Sequence, residues 1–201
     1  MMHGNQLLLQ WIRATFVGWI LGIPLIIVLA LVGEAAGIGG AQVIVGVGMG
    51  AGVGLMQGRI MRTMLGKLGP WVWSSVVGLG LPFFMADIAG VVRWDSPYSL
   101  YLAVILAGLI VGIFQAFILR SRFHNTGWWV VGSVVGWSMA SATIALADTL
   151  SRAHSLRGVW GALAYLATVA AGGLVLGIVT GIALVGMLRN RMGHDSVSVL
   201  K

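Results

Sequence analysis

Six stretches of this chain, at about residues 8–32, 39–57, 70–92, 99–119, 127–149 and 160–188, run almost free of charge. Each holds roughly the 20 residues that a helix needs to cross a hydrocarbon layer about 30 Å thick. Lipid offers no partner for free backbone N–H and C=O groups, so such stretches must satisfy those groups internally, as helices. The residue-by-residue alternation of a membrane β-strand is missing, which disfavours a barrel. Charged residues make up only 8% of the chain, against about 25% in soluble domains, and mean hydropathy is +0.99. The 31 glycines suit membrane helices, where glycine is commoner than in soluble ones. The reading is an all-α integral membrane protein with six transmembrane helices in a single domain spanning 1–201.

Short polar joints such as "GRIMRTMLGKLGP", "RWDSPYS" and "SRAHSLRG" separate the spans. Pro70 suits the first turn of the third helix, where a missing N–H costs nothing. An even number of spans puts both termini on one side. That side holds Arg13, Arg59, Arg62, Lys67, Arg120, Arg122, Arg189, Arg191 and Lys201, nine of the twelve basic residues, and the other holds Arg93, Arg152 and Arg157. The excess of lysine and arginine on cytoplasmic loops predicts both termini in the cytoplasm, and the expected location is the cytoplasmic (inner) membrane. The first span is expected to remain an uncleaved helix, being long for a signal peptide and lacking a small-residue cleavage site after it. The net charge of +7 is on this view a topology signal, and nothing in the chain supplies the folded basic surface that nucleic-acid binding uses.

Two patterns recur three times. "W-x6-G" opens the odd-numbered helices, at Trp11 and Gly18, Trp71 and Gly78, Trp129 and Gly136. "G-x3-G-x2-[QT]" falls in the even-numbered ones, at Gly50, Gly54 and Gln57, at Gly108, Gly112 and Gln115, and at Gly173, Gly177 and Thr180. The chain therefore reads as three tandem helical hairpins, at approximately 5–62, 67–120 and 126–189. Positions i, i+4 and i+7 share a helix face. The glycines are expected to form a groove for close helix approach, and the glutamine or threonine beside them to hydrogen-bond across it. Arg62 and Arg120 fall on another face and are expected at the lipid-phosphate interface, their stems along lipid and their guanidinium groups at phosphate. The third unit has Val185 at that place. A polar ring of Gln57, Gln115 and Thr180 around a pseudo-threefold axis, able to pass a small solute, is the alternative to this packing role.

Asp87 and Asp148 are expected near the outer interface, at unmatched repeat positions, which argues against a catalytic pair. His3, His124, His154 and His194 fall in joints or tails, so histidine ligation of haem within the bilayer is not expected. No hydrolase, metalloprotease or phosphate-loop motif appears, and the chain is read as no enzyme. With no cysteine, disulfides and thiolate metal sites are excluded. Pro24 and Pro82 are expected to kink helices one and three. Trp11, Trp71, Trp73, Trp128 and Trp129 read as a cytoplasmic aromatic belt, and Trp94 and Trp160 as an outer one. Trp19 and Trp137 lie deeper, as candidates to pack against a bound pigment, quinone or acyl chain.

The hairpins carrying "W…GW" and "GxxxGxxQxxxLR" resemble uncharacterised multi-pass bacterial membrane proteins built from tandem two-helix units, a resemblance that implies no activity. Mitochondrial carriers also triplicate a two-helix unit, but their proline-acid-base signature is absent here. The expected function is a non-catalytic membrane subunit packing within a larger respiratory, photosynthetic or transport assembly, in contact with lipids and other integral subunits. A lipid, quinone or carotenoid-like pigment is the only cofactor class the residues suggest, and no metal is expected.

Overall fold

Long apolar runs rich in leucine, valine and glycine give helices from end to end of the computed structural model, which describes residues 4–93, 99–123, 125–153 and 158–198. The elements are α1 (Gly4–Ala35), α2 (Val43–Leu65), α3 (Gly69–Val91), α4 (Ser99–Leu119), α5 (Gly127–Arg152) and α6 (Gly158–Ser198), with no strand among the described residues. All six are long and apolar enough to cross a membrane. Trp94, Asp95, His3, His124, His154, Arg157 and Lys201 lie outside the described residues.

Boundaries follow local chemistry more than hydropathy. The second apolar run ends before Arg59, yet α2 continues through Arg59 and Arg62 to Leu65. It stops where Gly66 takes a left-handed conformation (φ 77°) and returns its N–H to the Arg62 carbonyl, a terminus that glycine adopts without steric cost. At its start, Gly37 and Gly40 (φ 77° and 78°) turn the chain out of α1. α6 likewise runs ten residues past the end of the sixth apolar run at residue 188, so His194 lies on a helix and not in a tail. Pro24 and Pro82 sit inside α1 and α3, and both helices continue through them.

Each helix packs against its neighbours in sequence, and α1 packs against α6, so the six form a closed ring. The interior has two layers. One, nearer the α2–α3 and α4–α5 connections, contains Trp11, Met61, Trp71, Leu119, Trp129 and Leu184. The second, toward the opposite end, contains Trp19, Val53, Leu79, Val111, Trp137 and Leu176. They are called below the tryptophan end and the acid end. Outward faces carry exposed aliphatic side chains such as Ile27, Val28, Leu31 and Val32 on α1. Such a surface is stable against acyl chains and unstable against water.

Candidate functional site at the bundle axis

The odd-numbered helices each bring one tryptophan to the axis. Trp11, Trp71 and Trp129 are essentially inaccessible, at 0%, 0% and 1% exposure. Their ring centroids lie 5.5, 5.7 and 6.0 Å apart, two pairs edge-on and one tilted, the geometry that aromatic quadrupoles favour. Three indoles therefore fill the axis at this level. This corrects the expected belt: the rings meet in the centre, and of the five tryptophans at this end only Trp73 and Trp128 are exposed. The cause is helical rotation, about 100° per residue, which turns Trp128 and Trp73 outward while their near neighbours point in.

An indole N–H buried away from water needs an acceptor. Trp71 Nε1 donates to Gln57 Oε1 at 3.4 Å, Trp129 Nε1 to Gln115 Oε1 at 3.0 Å, and Trp11 Nε1 to Thr180 Oγ1 at 2.9 Å. The amide nitrogens then donate the other way, Gln57 Nε2 to Thr15 Oγ1 and Gln115 Nε2 to Ser75 Oγ, both at 3.0 Å. Gln57 thus links α1 to α3 across α2, and Gln115 links α3 to α5 across α4. A glutamine can do this because its amide offers both an acceptor and donors. Thr180 has only a hydroxyl, which donates to its own helix at the Leu176 carbonyl (2.6 Å). Ser133, at the place of Thr15 and Ser75, donates instead to the Gly108 carbonyl (2.7 Å). Among the described residues no buried side-chain N or O lacks a partner.

Thr15, Ser75 and Ser133 were missed in the motif reading. Their signal was available: each lies four residues after its tryptophan and three before its glycine, so the fuller pattern is "W-x3-[ST]-x2-G". Replacing Gln115 with leucine should strip Trp129 Nε1 of its acceptor and Ser75 Oγ of its donor. The expected cost is about 1–3 kcal/mol, the penalty of orphaning a buried polar group. Thermal unfolding in detergent measures it.

The glycines of both patterns lie where helices come closest. A Cβ on Gly50 would stand 2.5 Å from the Ser75 carbonyl oxygen, and one on Gly54 2.6 Å from Ser75 Cβ. On α4, Gly108 and Gly112 face Trp137, Val134, Ser133 and Val130 of α5, at 2.9–3.2 Å. On α6, Gly173 and Gly177 face Trp19 and Ile12 of α1, at 2.6 and 3.0 Å. Each even helix thus turns its glycine pair toward the odd helix that follows it around the ring, α6 toward α1. Gly18, Gly78 and Gly136 on the odd helices keep the same sense around the ring, facing Val53, Val111 and Leu176 of the even helix that follows.

Arg62 and Arg120 are exposed at the tryptophan end, and the Arg120 guanidinium sits 4.8 Å from the centroid of the Phe117 ring. Trp19 and Trp137 lie against each other, centroids 6.0 Å apart, and Trp19 Nε1 donates to the Val169 carbonyl. The apolar cavity beside them, bordered by Leu79, Phe83 and Met49, holds about 60 Å³. Small-molecule sites run to about 300–1,000 Å³, so this space is too small for a quinone ring or carotenoid.

The two acids bind separate partners. Asp87, near the end of α3, accepts the backbone N–H groups of Gln42 (2.6 Å) and Val43 (2.9 Å) at the start of α2. The α2 N-terminus has no cap of its own, so a carboxylate from the neighbouring helix meets its orphan donors and positive dipole end. Asp148 on α5 accepts the hydroxyl of Tyr165 on α6 at 2.8 Å. Substituting Asp87 by alanine should lower stability by about 1–2 kcal/mol, and by asparagine less, since one acceptor oxygen remains. Paired melting curves of the two variants test this.

Comparison with protein-family models, with curated proteins and with solved structures finds no match to this chain. Its chemistry rests on its own residues.

Proposed function

We propose that this chain is a non-catalytic integral membrane subunit, built as three tandem two-helix units around a pseudo-threefold axis, that packs within a larger membrane assembly. One observation carries the reading: the buried amides and hydroxyls at the axis are hydrogen-bonded to tryptophans and to one another across neighbouring helices. In lipid, helices associate by close packing and such bonds, and these polar groups serve that association. The glycine pairs supply the close approach. The acids support it too, one holding a helix start and the other a tyrosine hydroxyl on an adjacent helix. The alternative, a transporter with a solute site at Gln57, Gln115 and Thr180, has less support, because three indoles occupy the space those side chains surround.

The test is purification from the native membrane in mild detergent, followed by identification of co-migrating proteins. The reading expects defined integral membrane partners. A chain recovered alone, and moving a solute in liposomes, would overturn it. The proposed side of the termini is open to direct test because the chain lacks cysteine. Lys67→Cys should react with an impermeant maleimide only after the membrane is opened, and Ile38→Cys before.

A further inference from the structure

The third unit departs from the other two on its lipid-facing side. Between α5 and α6 an open apolar groove of about 440 Å³ runs past Trp128, Val135, Val179, Ile182, Ala183 and Gly186. Its floor is tight: a Cβ on Gly132 would lie 2.7 Å from Ala183 Cβ. Aligning the three units on Gln57, Gln115 and Thr180 shows why the groove exists. Where this unit has Val179, the others have Met56 and Phe114; for Ile182 they have Arg59 and Phe117; for Ala183, Ile60 and Ile118. Smaller side chains have opened the surface at the α5–α6 seam. The replacement of Arg59 by Ile182 also puts an aliphatic side chain close to headgroup depth, where the first unit keeps a cation.

The groove's length selects its occupant. It extends from Trp128 to Val135 on α5 and from Val179 to Met187 on α6, about 11–12 Å at 1.5 Å per residue. It begins at the tryptophan end of the helices and stops short of their middle. That matches one leaflet of the hydrocarbon core, about 15 Å. A partner's transmembrane helix would press along the whole depth of about 30 Å. A single acyl chain enters from one headgroup layer and ends near the midplane. We propose that this groove seats one acyl chain of a phospholipid from the leaflet at the tryptophan end, with the Trp128 ring at its mouth. The volume falls within the range of small-molecule sites. The alignment rests on the three-unit reading, whereas the site itself stands without any partner assembly.

The probe is dioleoyl phosphatidylglycerol added to detergent-purified protein, with bound lipid counted by native mass spectrometry. Wild type should hold one lipid more tightly than the rest. The double variant Val179→Phe with Ile182→Phe, which refills the groove with phenylalanines found in the second unit, should hold it about tenfold less tightly, with unchanged helicity. Equal retention by both proteins would overturn the proposal. So would a refilled variant that keeps the lipid but loses a co-purifying membrane protein, since the groove would then seat a helix. A second measurement needs no refilled protein. A dibrominated form of the same lipid should quench tryptophan emission in wild type more than in Trp128→Phe, at lipid levels too low for general solvation. No difference between those two would also overturn the proposal.

Discussion

Trp71→Ala should destabilise the bundle by about 3–5 kcal/mol, the range for removing a large aromatic side chain from a packed interior. Trp73→Ala, two residues away on the same helix, should change stability by less than about 1 kcal/mol. The two differ because Trp71 is wholly buried and Trp73 is 67% exposed. In the first variant two indole faces lose their partner, and Gln57 Oε1 loses the donor that occupied it. Lipid offsets only part of this cost. Acyl chains match the apolar transfer term, but the void at the axis is closed to them, and the dispersion contacts across it are lost outright. Thermal melts of both variants in one detergent, followed by circular dichroism, decide the matter. A similar loss in both would mean that the indoles act at the surface and not as an axial plug.

The second large effect concerns a single methyl group. Gly52→Ala should prevent α1 and α2 from reaching their observed separation. A Cβ there would fall 2.5 Å from the Gly18 carbonyl oxygen, 2.6 Å from Gly22 N and 2.8 Å from Gly22 Cα. All three are backbone atoms, so no rotamer change relieves the clash and a helix must move. Overpacking of a well-filled interior costs about 1–3 kcal/mol and occasionally more, and an obstruction made of backbone alone belongs at the top of that range or above it. The control is Gly90→Ala, at a position where a Cβ meets nothing within 4 Å. Its effect should be slight, because alanine also favours the helix. Yield of monodisperse protein after gel filtration and the midpoint of thermal unfolding both report the difference. Equal behaviour of the two variants would show that the α1–α2 contact is looser than it is here.

Helix number and placement were legible because they depend on one bulk property, the length of uncharged sequence. Helix ends were less so. Arginines at 59 and 62 end the apolar run of α2 but not the helix, since their side chains lie outward and the backbone continues undisturbed. The candidate site was legible in type and illegible in partnership. Gln57 and Gln115 stand out as polar residues beside glycine pairs. Which helix they reach depends on the sense in which the ring closes, and no pattern within one chain segment encodes that. The inward or outward aim of each tryptophan was hidden for a related reason. Trp71 and Trp73 are about 200° apart around their helix, and only the position of the axis says which one faces it. Thr15, Ser75 and Ser133 escaped notice because small hydroxyl residues carry little weight until the amide that meets them is placed.

The bond between Trp11 and Thr180 joins residues 169 positions apart in the chain. Helices enter a membrane in the order of synthesis, N-terminal segments first, and an indole N–H in lipid without an acceptor is unfavourable. During biogenesis α1 must therefore wait for α6 before its central donor is satisfied. Everything inserted in between is an open arc with two unmet indole donors on α1, those of Trp11 and Trp19, and the circle locks only when α6 brings Thr180 and the Val169 carbonyl to them.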